Sequence, residues 1–282
     1  MIYYVIIFYQ YFFIKIISKY KYIMKNALLV GIIYELSTEK SMNIIKSIEY
    51  TKNFLENKRK YDSIHILNYK AGYQEIINGL DMLVKNSGYG DELWFHFIGF
   101  SSTNRKSICP YDYRENGVIT ENDFFNLFIY RLPYGVKCYI IIDTFTNCGI
   151  SLRHTIQDLS RAVVNHPNKK YSYSEWELRQ LHIEKSNYNR LRADVYLISL
   201  TLDKNMILIY PLLTNLFLEK INNNNIKWKH LIKDISCSLK LLKYKYSVQL
   251  FSGNIIDTNS QVFYDELNLD VNQINKNIYI SV

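Results

Sequence analysis

Four cysteines are all that 282 residues contain, at positions 109, 138, 148 and 237, and no two of them stand in a CxxC pair. The six histidines are scattered among other residue types. A zinc site has no support from that spacing, and nothing implies a disulfide framework, which favours a reducing compartment. No acidic residue occurs before Asn26, whereas Lys15, Lys19, Lys21 and Lys25 supply +4 of the net +8. Beyond that segment basic residues are interleaved with acids. The clustered basic face that nucleic-acid binding needs is therefore not expected. There is no internal repeat. The N-terminus lacks both the charge before an apolar stretch and the small-residue cleavage site of a secretory signal.

Apolar side chains are plentiful, at 48% of the residues, and 26 are tyrosine. Burial is ample for one large α/β domain, and a disordered chain is not expected. Residues 1–17 are apolar apart from Gln10, Lys15 and tyrosine hydroxyls, a little short of the about 20 residues that span a bilayer. Two readings stand for residues 1–23. They form a membrane anchor, with the following lysines holding the rest of the chain in the cytosol. Alternatively Met24 is the true start and the prefix is an extra translated segment.

Residues 27–33 read as a buried parallel strand, 63–67 as a second short strand, and 91–98, 136–142 and 194–200 as further strands. Helical spacing is predicted over residues 41–57, with Ser41 as its cap, and over 72–85, stopped by Asn86-Ser87-Gly88. Thr120 with Asp123 forms a capping box for a helix ending near Pro133. Further helices are expected at 206–221 and 228–242, while 104–116 reads as loop. The alternation β-α-β-α-β-α-β implies a mostly parallel sheet with helices on both faces. In such sheets ligands and catalytic groups gather outside the carboxyl ends of strands. Residues 151–192 are polar and mixed in charge, with a helix expected around 173–185, and read as a surface linker. The apolar Cys138 reads as a small buried hydrophobe.

The order of short motifs resembles the metacaspases, caspase-fold cysteine peptidases of family C14, and is most similar to the type I group. The resemblance rests on Ala27-Leu28-Leu29-Val30-Gly31-Ile32, on Gly90-Asp91-Glu92-Leu93-Trp94-Phe95-His96, and on Pro110-Tyr111-Asp112 with Gly117-Val118-Ile119. It continues through Leu132-Pro133-Tyr134-Gly135-Val136 and Asp143-Thr144, then Ile198-Ser199, Asp203, Thr214, Phe217, Trp228, Gln249 and Leu250. The domain it implies covers residues 24–257. A large-subunit-like part at 24–150 and a small-subunit-like part at 193–257 flank the linker, and 258–282 form a tail.

In that family a thiolate attacks the scissile carbonyl and an imidazole acts as base and acid. The resemblance sets Phe100 at the histidine position and Phe145 at the cysteine position. Neither ring can donate a lone pair or titrate, so the resemblance implies a pseudopeptidase that has lost its dyad. Two rings at adjacent strand ends would contact one another and plug the old site. Asp143 matches an acid that reads a basic Arg or Lys P1 side chain. Its carboxylate is either a remnant of that role or a structural acceptor for backbone N–H groups. Ile98 replaces a serine two positions before the histidine, and Ser47 stands near a further acidic position. Glu121 and Asn122 match a calcium-binding pair of aspartates. A hard cation wants several oxygen ligands, mostly carboxylate, so loss of calcium dependence is expected, with no other cofactor. Cys148 could be a displaced nucleophile, with His96 or His154 as base, or a plain loop thiol.

The expected activity is protein binding that regulates proteolysis or cell death. It would be carried out by a cytoplasmic monomer on protein or peptide partners bearing basic residues, with membrane contact through residues 1–23 if those form the anchor. The alternatives are a cysteine endopeptidase using Cys148 and a membrane-tethered scaffold.

Overall fold

Strand β1 (Lys25–Gly31) is buried from Asn26 onward, as its unbroken apolar run requires. The structure, a computed structural model, describes residues 22–34, 37–102, 107–145, 163–164, 192–202, 211–222, 226–241, 246–252 and 260–263. Beside β1 lie β2 (Ser63–Ile66) and β3 (Glu92–Gly99), then β6 (Lys137–Thr144), β8 (Asp194–Leu202), β9 (Tyr246–Ser252) and the two-residue β7 (Val163–Val164). The sheet order is β2-β1-β3-β6-β8-β9-β7. The first five of these run parallel, and β9 and β7 pair antiparallel. This is the mostly parallel sheet expected from the sequence.

Helices cover both faces. On one side pack α1 (Thr38–Phe54), α5 (Leu212–Ile221) and α6 (Trp228–Leu241), which bury Ile44, Ile48, Phe217 and Leu231 against Leu29, Trp94 and Ile141. On the other lie α2 (Tyr73–Lys85) and α4 (Glu121–Leu127), burying Ile76, Leu80, Phe124 and Phe125 against Leu28, Phe95 and Ile140. Alternate residues of β3 and β6 thus feed opposite cores, the period of two that a strand imposes. The approach of α1 is close: a Cβ on Gly31 would lie 2.8 Å from the Ile48 side chain.

Several local expectations meet corrections. Helix α1 begins at Thr38 after Ser37, and the Ser41 hydroxyl bonds back to the Ser37 carbonyl one turn earlier, so Ser41 caps nothing. The last turn widens into a π-helical segment, Leu55–Arg59, which ends at Lys60 in the left-handed region. The stretch 104–116 contains a short strand, β4 (Ser107–Ile108), antiparallel to β5 (Ile119–Thr120), and the single turn α3 (Tyr113–Asn116). The helix from Thr120 stops at Leu127 and continues as a 3-10 turn, Ile129–Arg131. Its cap matches the expected box: Asp123 N donates to Thr120 Oγ1 at 3.1 Å and Thr120 N to Asp123 Oδ2 at 3.0 Å. Cys138 is fully buried. The helix expected at 173–185 and the first residues of that expected at 206–221 lie outside the described residues.

Packing runs on past residue 257. Residues 260–263 cross the base of the first core, where Val262 and Phe263 are buried and Tyr139 Oη donates to the Val262 carbonyl at 3.1 Å. Phe263 also lies 3.9 Å over the guanidinium of Arg59, whose Nη2 meets Glu92 at 3.2 Å in a buried ion pair.

Candidate functional site

β3 and β6 end together at the carboxyl edge, and their parallel register aligns Ile98 with Asp143 and Gly99 with Thr144. The next residues of each strand carry the rings. Phe145 N donates to the Gly99 carbonyl at 3.0 Å, which holds the chain in register one step beyond the strand. The Phe145 ring is 0% exposed and belongs to the first core, while Phe100 is half-buried against it. Their centroids are 5.7 Å apart with planes at 84°, an edge-to-face contact that sets a positive ring edge on a negative face.

A third ring extends the cluster. Tyr34, just past β1, packs on Phe100 with centroids 4.3 Å apart and planes tilted by 32°, and contacts Tyr113 edge-on at 6.2 Å. Its hydroxyl accepts from Phe100 N at 3.1 Å and donates to the Cys109 carbonyl. Burial pushes the Tyr34 phenol well above its ordinary range and the Cys109 thiol up to about 11. Neither is poised to ionise near neutral pH, so the described part of this strand-end site presents aromatic surface with no nucleophile. The Tyr34 contribution could not be read from spacing, because it depends on β1 and β3 being sheet neighbours.

Asp143 faces the first core one step before the rings. It is 2% exposed, and its Oδ2 accepts from Thr214 N, in the first turn of α5, at 2.7 Å. Leu213 N and the Thr214 hydroxyl also bond to it. Those bonds hold the pKa down, but desolvation is larger and pushes it up to about 7. This is the backbone-acceptor arrangement. His96, diagonal to Asp143 on the same face, is 0% exposed, and desolvation lowers its pKa to about 3. Its Nε2 is 2.9 Å from Thr214 Oγ1 and its Nδ1 3.3 Å from Thr51 Oγ1. Ser47, on α1, is buried and donates to Asn215 Oδ1 at 3.3 Å. Ile98 is buried in the same core. Ser199 pairs with Ile142 and is buried on the opposite face from Asp143.

Glu121 is buried at the start of α4, the exposed Asn122 follows it, and the Asp123 carboxylate is engaged by the Thr120 cap. One carboxylate and one amide do not fit a calcium ion. Among the described residues no group of three or more His, Cys, Asp or Glu side chains could hold a metal. Cys148, His154 and Asp203 lie outside the described residues, as do residues 1–21. Among the described residues no helix is long and apolar enough to cross a membrane.

Comparison with known proteins gives the family. The sequence model described as "Metacaspase, peptidase C14 domain" matches residues 25–152. Metacaspase-1 of Arabidopsis thaliana is 29% identical over 139 residues, 42% of this chain and 38% of that relative. Metacaspase-1 of Meyerozyma guilliermondii is 28% identical over 165 residues, 51% of this chain and 40% of that relative. Metacaspase-1 of Plasmodium berghei is 25% identical over 284 aligned positions, 90% of this chain and 42% of that relative. The chain therefore spans about two fifths of the length of these relatives. A crystal structure of a Geobacter sulfurreducens protein superposes with a TM-score of 0.53 at 13% identity, covering 84% of this chain and 97% of that one, which supports the α/β fold alone. On the matched sequence, the motif order and the sheet that carries it, the domain at residues 25–152 is a member of the metacaspase family, peptidase C14.

Proposed function

We propose that this protein is a metacaspase-family pseudopeptidase that works by binding other proteins. The observation that carries the reading is the Phe100–Phe145 contact, with one ring fully buried and the other half-buried where β3 and β6 end. Acyl transfer to a thiol needs a nucleophile and a base within hydrogen-bond reach, and two phenyl rings supply neither. The partners are protein or peptide segments bearing basic residues, and the outcome is regulation of proteolysis or of a cell-death pathway. The chain acts as a monomer in the cytoplasm without calcium, held near a membrane if residues 1–23 form an anchor.

The test is hydrolysis of fluorogenic peptides with Arg or Lys at P1, with and without calcium, beside Cys148→Ala. Turnover no greater than buffer is expected. Turnover that disappears in Cys148→Ala would mean a dyad rebuilt elsewhere, and the binding reading would be wrong.

A further inference from the structure

The hydrogen bonds around His96 fix a proton count. Thr51 has one hydroxyl proton and gives it to the Ser47 carbonyl, one turn back on α1, at 2.8 Å. Its oxygen is then left to accept at His96 Nδ1, which must carry a hydrogen. On the far side of the ring Thr214 Oγ1 lies 2.9 Å from Nε2 and also bonds to Asp143. Two proton placements complete this chain. In one, His96 is an imidazolium, Nε2–H donates to Thr214, and Thr214 donates to a charged Asp143. In the other, Nε2 is bare, Thr214 donates to it, and Asp143 carries the proton and donates to Thr214.

Both placements hold the same number of protons and differ only in charge separation. The surroundings choose between them. At 0% and 2% exposure, with a hydroxyl between them, two opposite charges would lose their hydration without touching. Among the described residues no counter-charge faces the pair: α1 offers the Ser47 and Thr51 hydroxyls, α5 offers Thr214 and Asn215, and β8 presents Ile198 and Leu200 to this core. Among the described residues burial alone shifts His96, and burial with three hydrogen bonds shifts Asp143.

We propose that Asp143, Thr214 and His96 form one uncharged proton-holding unit, in which a carboxylic acid at Asp143 donates through the Thr214 hydroxyl to a neutral, Nδ1-protonated His96 and so anchors the first turn of α5 to the sheet. The opposed shifts of the two groups agree with it. Folding moves a proton from imidazole to carboxyl, where the unfolded chain at mildly acid pH keeps both groups charged. An uncharged Asp143 cannot attract a basic side chain, so recognition of such partners would lie elsewhere on the molecule. The unit stands whether or not the protein is a peptidase, because its atoms belong to the core.

The first experiment is NMR of the full chain labelled with 15N-histidine, followed from about pH 5 to about pH 7.5. His96 is expected to stay neutral with its hydrogen on Nδ1 throughout that range. An imidazolium near pH 6, or a hydrogen on Nε2, would overturn the proposal. The second is Asp143→Asn, whose amide oxygen can still accept from Thr214 N while its N–H replaces the acid's O–H toward Thr214 Oγ1. Its melting temperature at about pH 5.5, well below the value of about 7 at which Asp143 loses its proton, is expected to stay close to that of the parent chain. A drop of several degrees there would show that the native group is the carboxylate. Should the variant not fold, the histidine spectrum of the parent chain decides alone.

Discussion

Removing the ring of Phe145 probes the strand-end plug directly. The side chain is fully buried, meets Phe100 edge-on at 5.7 Å, and sits on a backbone held to Gly99 at 3.0 Å. Truncating a buried Phe to Ala costs about 3–5 kcal/mol, the transfer term plus the cavity left behind. The same change at Phe100 should cost less, because that ring is half-exposed and its contact with Tyr34 offers only one further face. The double variant separates packing from pairing: the coupling between the two rings should be about 0.5–1.5 kcal/mol. Urea unfolding of the parent, both single variants and the double variant measures all three quantities, provided that the slope with urea stays constant. A Phe145→Ala cost below about 1 kcal/mol, or no coupling, would show that the rings do not fill the strand-end site.

Other perturbations test separate parts of the molecule. Glu92→Ala removes the carboxylate paired with the buried Arg59 beneath Phe263 and should destabilise by up to about 3–5 kcal/mol, whereas an apolar pair replacing both partners should cost less in the same unfolding assay. Thr120→Ala removes the acceptor for Asp123 N and should cost about 1 kcal/mol by urea denaturation. For pH, Asp143 contributes stability that is present below its unfolded value of 3.8 and is lost as pH rises through about 7; His96 contributes stability that is present above 6.5 and is lost as pH falls through about 3. The two slopes oppose each other and should cancel between about pH 4 and pH 6.5. His96→Gln should expose the Asp143 slope, with stability falling as pH rises through that window, and an unchanged pH profile would refute the linkage.

The centre of the sheet was legible in the sequence because β1, β3 and β6 are buried almost throughout and read as apolar runs, and the Thr120–Asp123 cap because it is local. Helix α1 was placed three residues late because Ser37 and Ser41 are both residue types that favour a cap. Strands β4 and β5 are two residues each, too short for any alternation to register. The meeting of Phe100 with Phe145 and a structural part for His96 followed from the family resemblance, but the role of Tyr34 and the identity of the partners of His96 did not. His96 and Thr214 are 118 residues apart, and only the packing of α5 on the sheet brings them together. Residues 260–263 show no strong pattern because two buried side chains are too few to set a period.

Those four residues also bear on how the chain comes into being. Phe263 contacts Trp94 and Tyr139 and covers Arg59, which is already committed to Glu92, so a partner made early in synthesis waits for one made about 170 residues later. Pairings so distant in sequence slow folding, and surface left open meanwhile is prone to aggregation. A nascent chain leaving the ribosome can assemble β1, β2, β3 and β6 with their helices while the floor beneath Trp94 stays open. The fold is closed only when the last described segment arrives, and a transcript ending before it would release a protein with its sheet assembled and its aromatic base exposed to the chaperones and proteases that survey such surfaces.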